Sequence, residues 1–172
     1  TSLSTRNILM NFVFRALLTV TVLSLPVNAA HSADFSGTAT VIDGDTFVVA
    51  GKRVHLYGID AFEEGQTCQW RNKTVNCGHL SATGLMDLTA GAHVKCTPVS
   101  ENKDGSIVAK CSTGDIDLSL NMVHTGWAFV DRKVTKNYIA VEAKSRAKGR
   151  AMWSGSFEKP WVWRAKHAHA AN

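Results

Sequence analysis

The stretch "FSGTATVIDGDTFVVAGKRVHLYGIDAFEEG", residues 35–65, decides the fold. Its segments 35–42, 46–50 and 53–59 are short, β-branched and bounded by Gly or Asp, which predicts three consecutive strands. Asp43-Gly44-Asp45 and Ala50-Gly51-Lys52 are the tight connections between them. The same stretch gathers five carboxylates, Asp43, Asp45, Asp60, Glu63 and Glu64. Carboxylates collected beside strands are hard oxygen ligands, the kind that hold a cation.

Outward from that stretch, "HLSATGLMDLT" (79–89) spaces Leu80, Leu85, Met86 and Leu88 as a helix does, despite the internal Gly84. Two more strands are predicted at 93–99 and 106–112. Asp117 opens a capped helix that stops at Gly126, "WAFV" (127–130) is extended, and 137–149 reads as a helix opened by Asn137 and closed by Gly149. Short strands with a helix between the third and fourth give an α+β, mainly β fold built on a small closed barrel.

At 172 residues the chain suits one domain with a real core. Arg6 and Arg15 precede the apolar run "ALLTVTVLSLPV", and Val27-Asn28-Ala29 then offers small residues where a signal peptidase prefers them, for cleavage near Ala29 to Ala33. That pattern predicts a signal peptide over 1–33, a domain over 34–164 and a flexible tail over 165–172, with the mature protein periplasmic or secreted. The four cysteines fall into near pairs, Cys68/Cys77 and Cys96/Cys111, and allow three pairings. Sequential bridges follow naturally from the short loops, the first closing the polar segment "QWRNKTVN"; scattered histidines and the lack of C-x-x-C disfavour the rival zinc site.

The formal charge is +5, and from Asp34 onward 17 basic residues stand against 14 acidic ones. Residues 132–166 alone carry ten basic side chains, Arg132, Lys133 and Arg164 among them, against Glu142 and Glu158. A basic face near an acidic cluster suits a polyanion held over a bound cation.

"VIDGDTF", "RVHLYGIDAFE", "DGSIVA", "LNMVHTGWAFV" and "GRAMWSGSFEKPWVWR" follow one another in an order that resembles the staphylococcal-nuclease-like (thermonuclease) family over about residues 35–164. The two cysteine pairs resemble those of its exported bacterial members. The resemblance implies a five-stranded OB-fold barrel with about three helices and, in active members, calcium-dependent hydrolysis of DNA and RNA. By position, Asp45, Asp60 and the backbone carbonyl of Ala61 match the calcium ligands, Asp43 the supporting carboxylate and Glu63 the residue that positions or deprotonates the attacking water.

The chain departs from the pattern where phosphate is gripped. His55 stands at the place of one family arginine and Ser106 at that of the second. Neither reproduces a planar, always-charged guanidinium. Losing one transition-state donor costs about 10²–10³ in rate. Arg53, displaced by roughly 6–7 Å along the same strand face, and Lys103, Arg132 and Lys133 are the substitute phosphate ligands. Phe62 replaces the usual proline before Glu63, and Asp131-Arg132-Lys133-Val134, directly after "GWAFV", offers Arg132 but no tyrosine to stack on a base. Trp127, Trp153, Trp161 and Trp163 read as packing residues, and His79, His93 and His124 as ordinary surface or partly buried ones. Three functions follow: a cation- and polyanion-binding protein with hydrolysis weak or lost, a working calcium-dependent nuclease with substitute cations, and a non-catalytic OB-fold interaction module.

Overall fold

Alternation along each short strand puts one face into the barrel and the other into solvent. In β4 (Lys52–Leu56) Val54 and Leu56 are buried, whereas Lys52 and Arg53 are exposed and His55 is half-buried. The computed structural model describes residues 33–168; the predicted signal peptide, apart from Ala33, and residues 169–172 of the predicted tail lie outside the described residues.

The segment 35–41 forms β1 (Phe35–Gly37) and β2 (Ala39–Val41). β2 pairs antiparallel with β3 (Thr46–Val49), and β3 with β4. β8 (Val94–Glu101) and β9 (Ile107–Thr113) form an antiparallel pair, β9 runs parallel to β4, and β1 pairs with β8. The bent first strand therefore contacts both ends of the path β2-β3-β4-β9-β8-β1 and nearly closes it. This is the predicted five-stranded OB barrel. Phe47, Val49, Val54, Leu85, Val94, Ala109, Leu118 and Met122 fill it, each fully buried.

β5 (Ile59–Ala61) leaves the barrel to pair with β11 (Ala128–Val130), and β10 (Ile116–Asp117) flanks β9. Helix α1 (Cys77–Thr89) is capped by Asn76, whose side chain accepts the His79 N–H. Helix α2 (Leu118–Thr125) is capped by Asp117 and stopped by Gly126 at φ 87°, as the sequence predicts. Helix α3 (Ile139–Ala147) starts two residues inside the predicted span, because the Asn137 N–H is taken by Thr135 Oγ1 and its side chain caps nothing.

Two predictions are corrected. The polar loop between Cys68 and Cys77 is a hairpin, β6 (Thr67–Trp70) with β7 (Lys73–Asn76), turned by Arg71 and Asn72 at φ 50° and 60°. Residues 165–168, assigned to a tail, belong to α4 (Pro160–Ala168). Both predicted disulfides are present, Cys68–Cys77 and Cys96–Cys111, so no thiol is left for zinc. Cys96 and Cys111 face each other in the β8–β9 register. Phe62, in the family's proline position, packs edge-on against Phe129 and Phe157 at 5.1 and 5.5 Å and founds a second core with Met152 and the Cys68–Cys77 bridge.

Candidate functional site

The turn between β2 and β3 aims two carboxylates into one cleft. The Asp43 carboxylate accepts the Asp45 N–H at 3.0 Å, folding the turn back on itself. Gly44 lets it press against α1: a Cβ there would lie 1.9 Å from Ser81 Oγ and 2.8 Å from Ala61 Cβ. Asp45 reaches across to β5, where its Oδ2 accepts the Ala61 N–H at 2.7 Å, while its Oδ1 accepts the Thr46 hydroxyl at 2.9 Å. Burial first, and then the charge of Asp43, push the Asp45 carboxyl up to about 8, against these hydrogen bonds. The carboxyl is thus held largely in its neutral form near pH 7 and would be fully ionised only beside a counter-ion.

Asp60 on β5 and Glu63 in the following loop complete the wall. An open cleft of about 420 Å³ is lined by Asp43, Asp45, Asp60, Glu63, Arg53, His55 and Arg164, among others. Glu63 is held by Gln66, fully buried, whose Oε1 accepts the Glu63 N–H at 3.1 Å and whose Nε2 donates to the Glu158 carbonyl at 2.7 Å. Burial raises the Glu63 carboxyl above its ordinary range, opposed by Arg164. A carboxylate moved toward neutrality is a better general base at physiological pH.

Arg164 is the group that reading the sequence did not place here. Its guanidinium grips Asp60 bidentately, Nη1 to Oδ1 and Nη2 to Oδ2 at 2.8 Å each, and Nη1 also donates to Glu63. The partners are more than 100 residues apart in sequence, so no local pattern announces them. The only sequence signals were the basic count of the last third and the motif "KPWVWR".

The expected phosphate ligands divide. His55 lines the cleft, with Nδ1 3.0 Å from the Thr46 hydroxyl, and burial lowers its pKa below the ordinary 6.5. Arg53 lines it too and is exposed. Ser106 is buried, donates to Asp104 Oδ1 at 2.6 Å and accepts from Asn102, and is not among the residues lining the cleft. Lys103 sits exposed in the same turn, also away from the lining. Arg132 and Lys133 line a second cleft of about 400 Å³, with Lys159 and Trp161. There the Arg132 guanidinium is paired with Glu142, a buried carboxylate that also accepts the Val130 N–H.

The carboxylates of the cleft, Asp43, Asp45, Asp60 and Glu63, suit a divalent cation in their chemistry, being hard oxygen donors. Among the described residues no three His, Cys, Asp or Glu side chains converge closely enough to ligate one ion, and Asp60 and Glu63 are turned to Arg164.

Residues 53–155 match the family described as staphylococcal nuclease homologue, a span that stops short of α4 and begins after Asp43 and Asp45. The chain is also 32% identical over 146 residues to "Succinoglycan biosynthesis protein ExoI" of Rhizobium meliloti (strain 1021), covering 83% of this chain and 72% of that protein. Barrel topology, the order of the motifs and the family match agree: the chain belongs to the staphylococcal nuclease homologue family.

Proposed function

We propose that the cleft is a calcium-type cation and phosphodiester site on an exported protein that binds nucleic acid and hydrolyses it slowly or not at all. Membership of the family makes the chain nuclease-like or nucleic-acid-binding. One observation carries the finer reading: the cleft gathers Asp43, Asp45, Asp60 and Glu63, while the family's two guanidinium places hold a histidine of suppressed charge and a serine tied to Asp104.

In this reading Asp45, Asp60 and the Ala61 carbonyl would hold the ion, with Asp43 supporting the turn. A bound calcium ion supplies charge that offsets negative charge growing on phosphate. Glu63, steadied by Gln66, would orient and deprotonate the attacking water. His55, neutral near pH 7, would donate at most one neutral hydrogen bond to phosphate. Export is supported by the two disulfides; no helix among the described residues is long and apolar enough to cross a membrane.

The test is digestion of DNA and of RNA in calcium and in EDTA. Binding that calcium strengthens is expected, with cleavage raised about 10²-fold or more by restoring His55→Arg and Ser106→Arg together. Rapid, EDTA-sensitive cleavage that Glu63→Ala abolishes would instead favour a second reading, a working nuclease, for which the guanidinium of Arg164 in the same cleft speaks. A third reading takes its cue from the name of the Rhizobium relative, which ties that protein to succinoglycan biosynthesis. On that reading the barrel is a polysaccharide-binding module, and succinoglycan would compete with DNA whether or not calcium is present.

A further inference from the structure

Arg164 belongs to two clefts at once. Together with Asp60 and Asp131 it lines both the carboxylate cleft and the basic one that holds Lys133, Lys159 and Trp161. Its side chain is 46% exposed, against 15% for Asp60 and 27% for Glu63, so the guanidinium is the solvent-facing partner. Three of its N–H bonds are spent on these two carboxylates. Beyond it, Ala165, Lys166 and His167 are exposed, Lys166 pairs with Glu158, and earlier on the helix Trp161 packs edge-on against Phe129 of β11 at 5.9 Å.

A divalent cation seated on Asp60 and a guanidinium gripping both oxygens of Asp60 exclude one another, by shared ligands and by like charge. The planar fork that fits a carboxylate fits a phosphate equally well, so Arg164 can change partners without being rebuilt.

We propose that Arg164 exchanges ligands. Without a divalent cation it neutralises Asp60 and Glu63; once the cation takes Asp60, it leaves both carboxylates and binds substrate phosphate at the junction of the two clefts. It thereby supplies, from a helix outside the family-matched residues, the guanidinium that His55 and Ser106 do not. This inference rests on the cation reading above.

The experiment measures two ligands on the same proteins: calcium by calorimetry, and a single-stranded oligonucleotide in saturating calcium at several salt concentrations. Arg164→Gln should bind calcium about tenfold more tightly and the oligonucleotide about tenfold more weakly. Its salt slope should fall by about 0.7, the loss of one phosphate contact. Arg164→Lys, which keeps the charge but not the fork, should lie between. Opposite signs on the two ligands mark exchange, because a merely structural role would weaken both. Calcium binding that is equal or weaker in Arg164→Gln, or oligonucleotide binding that is unchanged, overturns the exchange alone. No calcium heat from either the unmodified protein or the variant would remove the cation reading and the exchange with it.

Discussion

His55 shows how one residue changes what a phosphodiester cleft can do. On β4 it faces the same side as Arg53 and sits opposite Thr46 in the β3–β4 register. Burial lowers its pKa most, the charge of Asp43 opposes this, and Arg53 adds to the lowering. Because the folded-state pKa lies below the unfolded one, the folded chain binds fewer protons around it. The stability this group contributes is present above the unfolded value of about 6.5 and is lost as pH falls toward the folded value. The imidazole signals of His55 should accordingly titrate below 6.5, and any pull of this residue on phosphate should emerge only in acid. A midpoint at or above 6.5 would show that the cleft stabilises its charge instead. At this scale the sequence was informative wherever position alone mattered: Asp45, Asp60, Glu63 and His55 all line one cleft. It was silent on Arg164, whose role depends on where a helix ends up rather than on neighbouring residues. Position alone also did not tell what Ser106 does: its hydroxyl closes its own turn on Asp104.

At the scale of elements, Glu63 owes its place to two parts of the chain that are distant in sequence. The α1 N-terminus packs so closely on the loop that a Cβ at Gly78 would lie 1.8 Å from the Glu63 carbonyl oxygen. The Gln66 backbone carbonyl accepts the Cys77 N–H at 2.9 Å, and its side chain bridges Glu63 to Glu158, just before α4. Replacing it with the similarly sized Gln66→Met would strand the Glu63 N–H and the Glu158 carbonyl. Leaving buried polar groups unpaired costs about 1–3 kcal/mol. Chemical denaturation should show a loss of that size, together with weaker calcium binding through the loosened Glu63 loop. A change within about 0.5 kcal/mol, the range of neutral surface substitutions, would mean that water replaces the amide without loss. The elements that were legible had local signatures: Asp117 and Gly126 bracket α2. The β6–β7 turn had none, because Arg71 and Asn72 take left-handed conformations that glycine usually marks. Nor did α4, a short helix with Trp163 half-buried and most other side chains exposed.

Across the whole molecule, the two disulfides brace different things. Cys96–Cys111 crosses adjacent antiparallel strands that already share a ladder, and closes a separation of 15 residues. Cys68–Cys77 closes 9 residues and ties the β6–β7 hairpin to the first residue of α1, inside the mainly aromatic second core of Phe62, Phe129, Trp153 and Phe157 with Met152. In the chain-entropy account each bridge contributes about 2–4 kcal/mol, with little to separate loops of these lengths. Stability alone therefore would not distinguish them; the site should. Phe62 adjoins Glu63, and the Gln66 carbonyl that receives α1 also lies 3.2 Å from the Cys77 sulfur. Loosening that bridge would free the wall that carries Glu63, while the Asp43–Asp45 turn, anchored on β3 and β5, would stay as it is. Cys68→Ala/Cys77→Ala should then lose both melting temperature and calcium affinity, whereas Cys96→Ala/Cys111→Ala should lose melting temperature with calcium affinity nearly unchanged. Calorimetry below the transition of each variant separates the two effects. Equal losses of affinity in both pairs would place the cleft's rigidity in the barrel as a whole rather than in the aromatic cluster beneath Glu63.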